Sequence, residues 1–305
     1  MTASSEPSGS VGDRAFIGRE KELAAIHNAL DLACGGQGRV VMLAGPPGIG
    51  KTCTAQQVAR HAAAQDMLVL WGRCPEEAGA PPYWPWLHAV RQYVAAHDEA
   101  AALATLGTAA GHFAALDPGL ALRLPPHPPL APPADAAQAR FQLFDAITGF
   151  WQRAAARQPL LLVLDDLHCA DVSSLRLLEF VARESAASRL LLLGTYRDAE
   201  VTRTHPLSDT LGLLARQAGT QRMKLVGFSA DETARFIGAV GKNLSPSLAA
   251  AMHQRTDGHP LFLVEMARLL DEAHGPAGRG TLPLADLQRV PAGVHEVIGS
   301  RLNRL

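Results

Sequence analysis

The stretch RVVMLAGPPGIGKTCTAQQVAR, Arg39–Arg60, decides how the chain is read. Its first six residues suit a buried strand, and a helical pattern begins at Lys51. Between them GPPGIGKT, Gly45–Thr52, fits G-x-x-x-x-G-K-[ST] in the strand–loop–helix setting that this pattern requires. Glycines at 45, 48 and 50 let the backbone turn its N–H groups inward, at a helix N-terminus that carries roughly half a positive charge. The loop formed by Gly45, Pro46, Pro47, Gly48, Ile49, Gly50, Lys51, Thr52 and Cys53 is therefore expected to cradle phosphate oxygens. Lys51 adds a full charge beside the β- and γ-phosphates, and the Thr52 hydroxyl is a ligand for Mg²⁺. The bland alternative is a Gly-rich turn that happens to precede a lysine. With 24 Arg but only 4 Lys in the chain, a lysine falling there by accident is the weaker account.

Outward from this loop, apolar strand-length runs alternate with helical patterns. The runs are Arg39–Ala44, Met67–Trp71, Leu160–Leu164, Leu190–Thr195 and Met223–Val226. Such alternation predicts an α/β fold, a parallel sheet covered on both faces. Leu23, Ile26 and Leu30 recur at helical spacing within Arg19–Ala33, ahead of the first run. A further helix is expected over Trp84–His97. The Pro/Ala-rich segment 117–134, with LPPHPPLAPPAD at its end, reads as an exposed excursion that sustains neither helix nor central strand. Beyond Gly227 only helical patterns continue, which sets a domain boundary there. The polar residues 1–15 read as a flexible tail, and HGPAGRG, His274–Gly280, as a Gly-rich break.

LLLVLDDLHCAD, Leu160–Asp171, is an apolar strand ending in adjacent carboxylates, the form of a Walker B segment. Asp165 at the strand end is the expected Mg²⁺ ligand, and Asp166 the group that orients or deprotonates an attacking water. An Asp-Asp turn capping the next helix is the alternative, and N-capping alone accounts for Asp171. RLLLLGTYRD, Arg189–Asp198, ends in Thr195 and Arg197, which in that position would sense or stabilise a γ-phosphate; a surface arginine is the rival reading of Arg197. Trp71, Tyr83, Trp84 and Trp86 are expected to pack rather than to stack bases.

Composition narrows the classes. The chain has 305 residues, 48% apolar and 19% charged, with a formal net charge of −1. It lacks an overall electrostatic footprint for DNA or an acidic membrane, so any anion must be met locally. Its apolar runs fall short of the roughly 20 residues that span a bilayer. Cys34, Cys53, Cys74 and Cys169 show neither C-x-x-C nor zinc spacing and read as reduced thiols. A cytoplasmic protein without membrane partners is expected.

FIGREKEL (Phe16–Leu23), GPPGIGKT, LLLVLDDLHCAD, LLLLGTYRD and DGHPLFLVEMARLL (Asp257–Leu270) occur in the order seen in the AAA-like branch of P-loop ATPases called STAND, signal-transduction ATPases with numerous domains. The chain resembles in particular the ATPase module of large LuxR-type bacterial transcription regulators and of cyclase-linked regulators. LWGRCPEEAGAPPYWPWLHAVRQYV (Leu70–Val94) and VPAGVHEVIGSRLNRL (Val290–Leu305) resemble that subgroup as well. The resemblance implies an ASCE sheet of strand order 5-1-4-3-2 over residues 16–227, a helical lid over 228–280, and the truncated start of a winged helix over 281–305. It implies that Arg19 lies near adenine or ribose and that Pro260 closes over the base. His259 and Cys169 stand where the family usually has Asn and Trp, so neither is given a chemical role.

The expected function is an Mg²⁺-dependent module that binds ATP, hydrolyses it slowly to ADP and switches state in a signal-transduction or transcription regulator. Lys51, Asp166 and Arg197 are its catalytic residues, and Thr52 and Asp165 hold the metal. One alternative is a nucleotide-binding interaction platform without useful hydrolysis. Another is a DNA-binding transcription factor, acting only through a domain outside this chain. Partners would be ATP, a second copy of the chain or a regulatory protein, with no direct nucleic-acid contact.

Overall fold

The computed structural model describes residues 16–77, 79–124, 130, 132–239 and 245–274, with side chains to residue 268. The expected tail (1–15), Gly-rich break (275–280) and winged-helix start (281–305) lie outside the described residues. The chain divides into two compact units. One comprises Glu20–Pro47 and Lys51–Leu225; the other comprises, among described residues, 16–19, 48–50 and 226–274.

The larger unit is built on a five-stranded parallel sheet: β1 (Arg39–Ala44), β2 (Leu68–Arg73), β3 (Leu160–Asp165), β4 (Leu190–Tyr196) and β5 (Thr220–Lys224). Their order is β2-β3-β4-β1-β5, the expected 5-1-4-3-2 read from the other edge. The three middle strands are apolar nearly throughout because both faces are covered. Met42, Leu162, Leu164, Leu192 and Tyr196 enter one core. Val41, Leu43, Leu161, Val163, Leu191 and Leu193 enter the other. Odd and even positions separate cleanly, as the two-residue period of a strand requires. Fully burying one such leucine is worth about 1.5–3 kcal/mol, so both cores hold the strand register.

Helices α1 (Glu20–Cys34) and α2 (Lys51–Ala64) cover the second face, giving it Ile26, Leu30, Ala55 and Val58. On the first face pack α3 (Trp84–Ala96), α7 (Ala136–Arg157), α8 (Val172–Glu184) and α9 (Pro206–Leu214), with Trp86, Trp151, Leu178 and Leu211 in the core. Between α3 and α7 run α4 (Glu99–Leu106), α5 (Ala109–Leu116) and the one-turn α6 (Pro118–Ala121).

Several expectations change here. Segment 117–134 does not begin as an exposed excursion: Asp117 and Leu120 are buried, and Pro118 opens α6 at a position where a missing N–H costs nothing. Asp117 accepts from the Gly119 N–H at 3.0 Å and from Arg91 Nε at 2.6 Å, which fixes the entry of that turn to α3. Phe113 meets Phe150 edge to face at 5.6 Å, drawing the preceding helix into the core. The Pro-rich residues 125–129 and 131 lie outside the described residues. β5 begins at Thr220 rather than Met223, because an edge strand with exposed Gln221 and Arg222 has no continuous apolar run to mark it. β2 runs to Arg73 instead of ending at Trp71.

In the smaller unit α10 (Ala230–Ala239), α11 (Pro246–Thr256) and α12 (Pro260–His274) pack around Phe228, Ile237, Leu248, Met252, Leu263 and Met266. Gly258, at φ 67°, ends the turn after α11, and a Cβ there would stand 2.0 Å from the Phe228 carbonyl oxygen. No other residue fits that close approach.

Candidate phosphate and metal site

Parallel strands place their C-terminal ends on one edge of the sheet, and there the polar residues of the larger unit collect. Arg73 pairs in register with Asp165, and Leu43 with Thr195. β1 runs out at Ala44, and α2 begins at Lys51. The intervening loop carries Gly45, Pro46, Pro47, Gly48, Ile49 and Gly50; Gly48 (φ 74°) and Gly50 (φ 99°) adopt the left-handed backbone that favours glycine.

Lys51 is 7% exposed, and its Nζ donates to the carbonyls of Gly45 and Pro46, each at 3.0 Å. Those bonds hold the ammonium against the loop instead of in water. Burial pushes its pKa down, Asp166 opposes that, and Arg197 adds to it. A buried cation balanced in this way gains strongly from an arriving phosphate.

Thr52, the next residue of α2, places its hydroxyl 3.2 Å from Asp165 Oδ2 and 3.3 Å from Oδ1. Asp165 is 2% exposed at the end of β3, and Thr195 Oγ1 of β4 donates to its Oδ1 at 2.5 Å. The same Thr195 oxygen accepts the Asp166 N–H at 3.0 Å. Thr195 therefore serves the acidic pair directly. Among described residues no group of three or more His, Cys, Asp or Glu is arranged to hold a metal. A hydroxyl beside a single buried carboxylate suits Mg²⁺, which takes few protein oxygens and completes its shell with phosphate and water.

Asp166 turns away from the strand in a left-handed conformation, φ 60° and ψ 44°, and precedes the 3-10 turn Leu167–Cys169 without a capping bond from its side chain. Burial raises its pKa, Asp165 raises it further, and Arg197, Arg73 and Lys51 oppose. Its carboxylate lies 3.8 Å from Arg73 Nη2. Arg197, just past β4, donates through Nη1 to Glu200 at 2.9 Å and through Nη2 to Glu76. Asp171 caps α8 through the Ser174 N–H at 3.0 Å, so capping accounts for it. Cys53, the third residue of α2, is exposed.

Arg19 and Pro260 belong to the smaller unit. Arg19 is 4% exposed at φ 65°; its guanidinium donates to the Ile49 carbonyl at 3.1 Å and lies 5.0 Å from the Phe228 ring centroid. Pro260 is the first residue of α12. Sequence reasoning singled out neither Arg73 nor the acids Glu76 and Glu200. The position of Arg73 at the end of β2 is a signal only once β2 is known to neighbour β3.

Trp86 and Tyr83 are buried, and Trp86 Nε1 donates to the Ser174 carbonyl at 3.2 Å, consistent with packing. Among the described residues no helix is long and apolar enough to cross a membrane.

A family model described as an AAA ATPase domain matches residues 15–193. Among curated proteins, an uncharacterized protein of Rhizobium meliloti (strain 1021) is 26% identical over 306 residues, which cover 95% of this chain and 28% of that protein. The chain thus spans little more than a quarter of the length of this relative. Among solved structures, a STAND protein with a tetratricopeptide repeat sensor from Pyrococcus horikoshii is 18% identical, covering 81% of this chain and 29% of that one, with a TM-score of 0.48. The Aeropyrum pernix ORC1 protein in complex with DNA is 16% identical, covering 87% of this chain and 64% of that one, with a TM-score of 0.47.

Proposed function

This chain belongs to the AAA ATPase domain family, and from that premise we propose that it is an Mg²⁺-dependent ATP switch that hydrolyses slowly within a signal-transduction or transcription regulator. As a member it is a nucleotide-binding ATPase module. The observation that carries the finer reading is the convergence of Lys51, Thr52 and Asp165 at the ends of β1 and β3, with Thr195 holding the carboxylate.

In this reading the loop N–H groups and Lys51 bind the phosphates, and the Lys51 ammonium exchanges its carbonyl partners for phosphate oxygens. At an effective dielectric of about 20, a charge about 4 Å from a phosphate oxygen is worth on the order of 4 kcal/mol. Thr52 and Asp165 would hold Mg²⁺, which when bound supplies charge neutralisation across the β- and γ-phosphates. Asp166 accepts a proton from the attacking water as its oxygen bonds to the γ-phosphorus and the bond to the ADP oxygen breaks. Arg197 reads the γ-phosphate. In the smaller unit, Arg19 and Pro260 take the adenine or ribose contacts that the STAND resemblance implies. Slow turnover suits a switch, since a bound nucleotide must last long enough to report a state. The output domain, as in LuxR-type regulators, and assembly with further copies in the ATP state belong to this same proposal, with a cytoplasmic setting.

A second reading, a nucleotide-bound platform without useful hydrolysis, is favoured by the ion contact of Asp166 with Arg73. Phosphate release by the wild type, Lys51→Ala and Asp166→Asn, with chromatography of the nucleotide retained on purification, separates the two. The switch reading requires release that disappears in both variants. Release no faster from the wild type than from Asp166→Asn, with ATP retained, supports the platform.

A further inference from the structure

Arg197 is tied up on both sides. Its Nη1 donates to Glu200 Oε1 at 2.9 Å and its Nη2 to Glu76 Oε1, so the two terminal nitrogens are taken by carboxylates of different loops, one following β2 and one following β4. The second oxygen of Glu200 lies 3.6 Å from Nε2 of His168, too long for a hydrogen bond. The His168 side chain is fully buried, and neither ring nitrogen has a hydrogen-bond partner. Glu200 is therefore confined between a guanidinium and an imidazole, while Glu76 reaches Arg197 from the side open to solvent, with its side chain 58% exposed.

We propose that Glu76 and Glu200 form a two-carboxylate latch on Arg197, which a γ-phosphate must displace, so that the latch sets the preference of the site for ATP over ADP. The inference rests on the reading of Arg197 given above. A guanidinium presents its N–H groups in one planar fork, and carboxylate and phosphate compete for the same edges. A ligand shifts such an equilibrium only by its differential affinity for the two arrangements. ATP carries the group that competes for the fork, and ADP lacks it. Loosening the latch therefore tightens ATP binding and leaves ADP binding as it was.

The test is equilibrium binding of ADP and of a non-hydrolysable ATP analogue, with Mg²⁺, to the full chain as wild type, Glu76→Gln, Glu200→Gln, the double variant, Arg197→Ala and the triple variant. Both acids are about half exposed, so glutamine is accommodated, and thermal melts check each fold. Each partly exposed pair is worth only a small factor, so either single variant is expected to raise the ATP:ADP affinity ratio about two- to fivefold, and the double variant further. Arg197→Ala is expected to lower the ratio, and to erase the effect of the glutamines in the triple variant. A ratio unchanged or lowered in both single variants, while Arg197→Ala still lowers it, overturns the latch and leaves the reading of Arg197 intact. A ratio unmoved by Arg197→Ala overturns that reading and the latch together. A rise in the glutamine variants that persists without Arg197 also overturns the latch, since it would then act through bulk charge.

Discussion

Thr195 donates to Asp165 Oδ1 at 2.5 Å while accepting the Asp166 N–H at 3.0 Å, so one hydroxyl on β4 meets both the acid that ends β3 and the acid just after it. Thr195 is fully buried, and its hydroxyl both donates and accepts within the site. It sets the direction of the carboxylate that Thr52 also meets.

Replacing Thr195 with Val keeps the shape and removes both bonds. Asp165 loses a buried donor and the Asp166 N–H loses its acceptor, a cost of about 1–3 kcal/mol for each group left unsatisfied. Denaturant unfolding is expected to show a loss of about 2–6 kcal/mol for the two groups together. Nucleotide binding should also become less sensitive to added Mg²⁺, because the carboxylate is no longer held. Unaltered stability together with an unaltered Mg²⁺ response would refute this role.

Lys51→Ala removes the loop's only lysine. From a Coulomb contribution on the order of 4 kcal/mol, nucleotide affinity is expected to fall about a hundredfold or more, measured by calorimetric titration with ADP and with ATP. A change of less than threefold would mean that the loop N–H groups alone carry the phosphates.

For Asp166, activity and stability should respond in opposite directions. Its raised pKa means that the carboxyl takes up a proton as pH falls at values where an ordinary aspartate is still ionised, so phosphate release should decline from a pH above the usual carboxylate range. The folded state binds that proton more tightly than the unfolded chain, so this residue destabilises the fold at neutral pH; the cost shrinks as pH falls below its raised value and is gone only below the ordinary aspartate range. Asp166→Asn is therefore expected to abolish hydrolysis and to melt at a higher temperature than wild type at pH 7. A lower melting temperature would contradict the electrostatic account.

Asp117 makes the opposite case. Burial pushes its carboxyl up, but the Arg91 bond and the backbone N–H groups of Leu120 and Gly119 outweigh burial and hold it below the ordinary value. Its stabilisation is present above the unfolded pKa and is lost as pH falls through the lower folded one. Asp117→Asn should cost about 1–3 kcal/mol at pH 7, with the difference from wild type vanishing in acid. Equilibrium unfolding at neutral and acidic pH checks both statements.

Much of this architecture was legible along the chain. The loop Gly45–Thr52 between β1 and α2 and the strand that ends in Asp165 can be read directly, because the glycine–lysine pattern is local and the residues before the acids form an unbroken apolar run. The three central strands can also be read, because burial on both faces leaves unbroken apolar runs. β5 could not be bounded, since its Gln221 and Arg222 face solvent at a sheet edge. The helices over 99–121 were obscured by their Ala- and Gly-rich composition, and they take their place from contacts such as Phe113 with Phe150, far apart in sequence.

Local sequence fixes what is built from neighbours: a phosphate loop, a carboxylate at the end of a strand, the period of a helix. Only the tertiary structure brought Thr195 to Asp165, Arg73 to Asp166, and Glu76 to Arg197, whose other partner, Glu200, lies three residues further along the same loop. Those pairings depend on which strands lie side by side and how far each runs. That is decided by packing two cores against a twisted sheet, and no short stretch of residues encodes it.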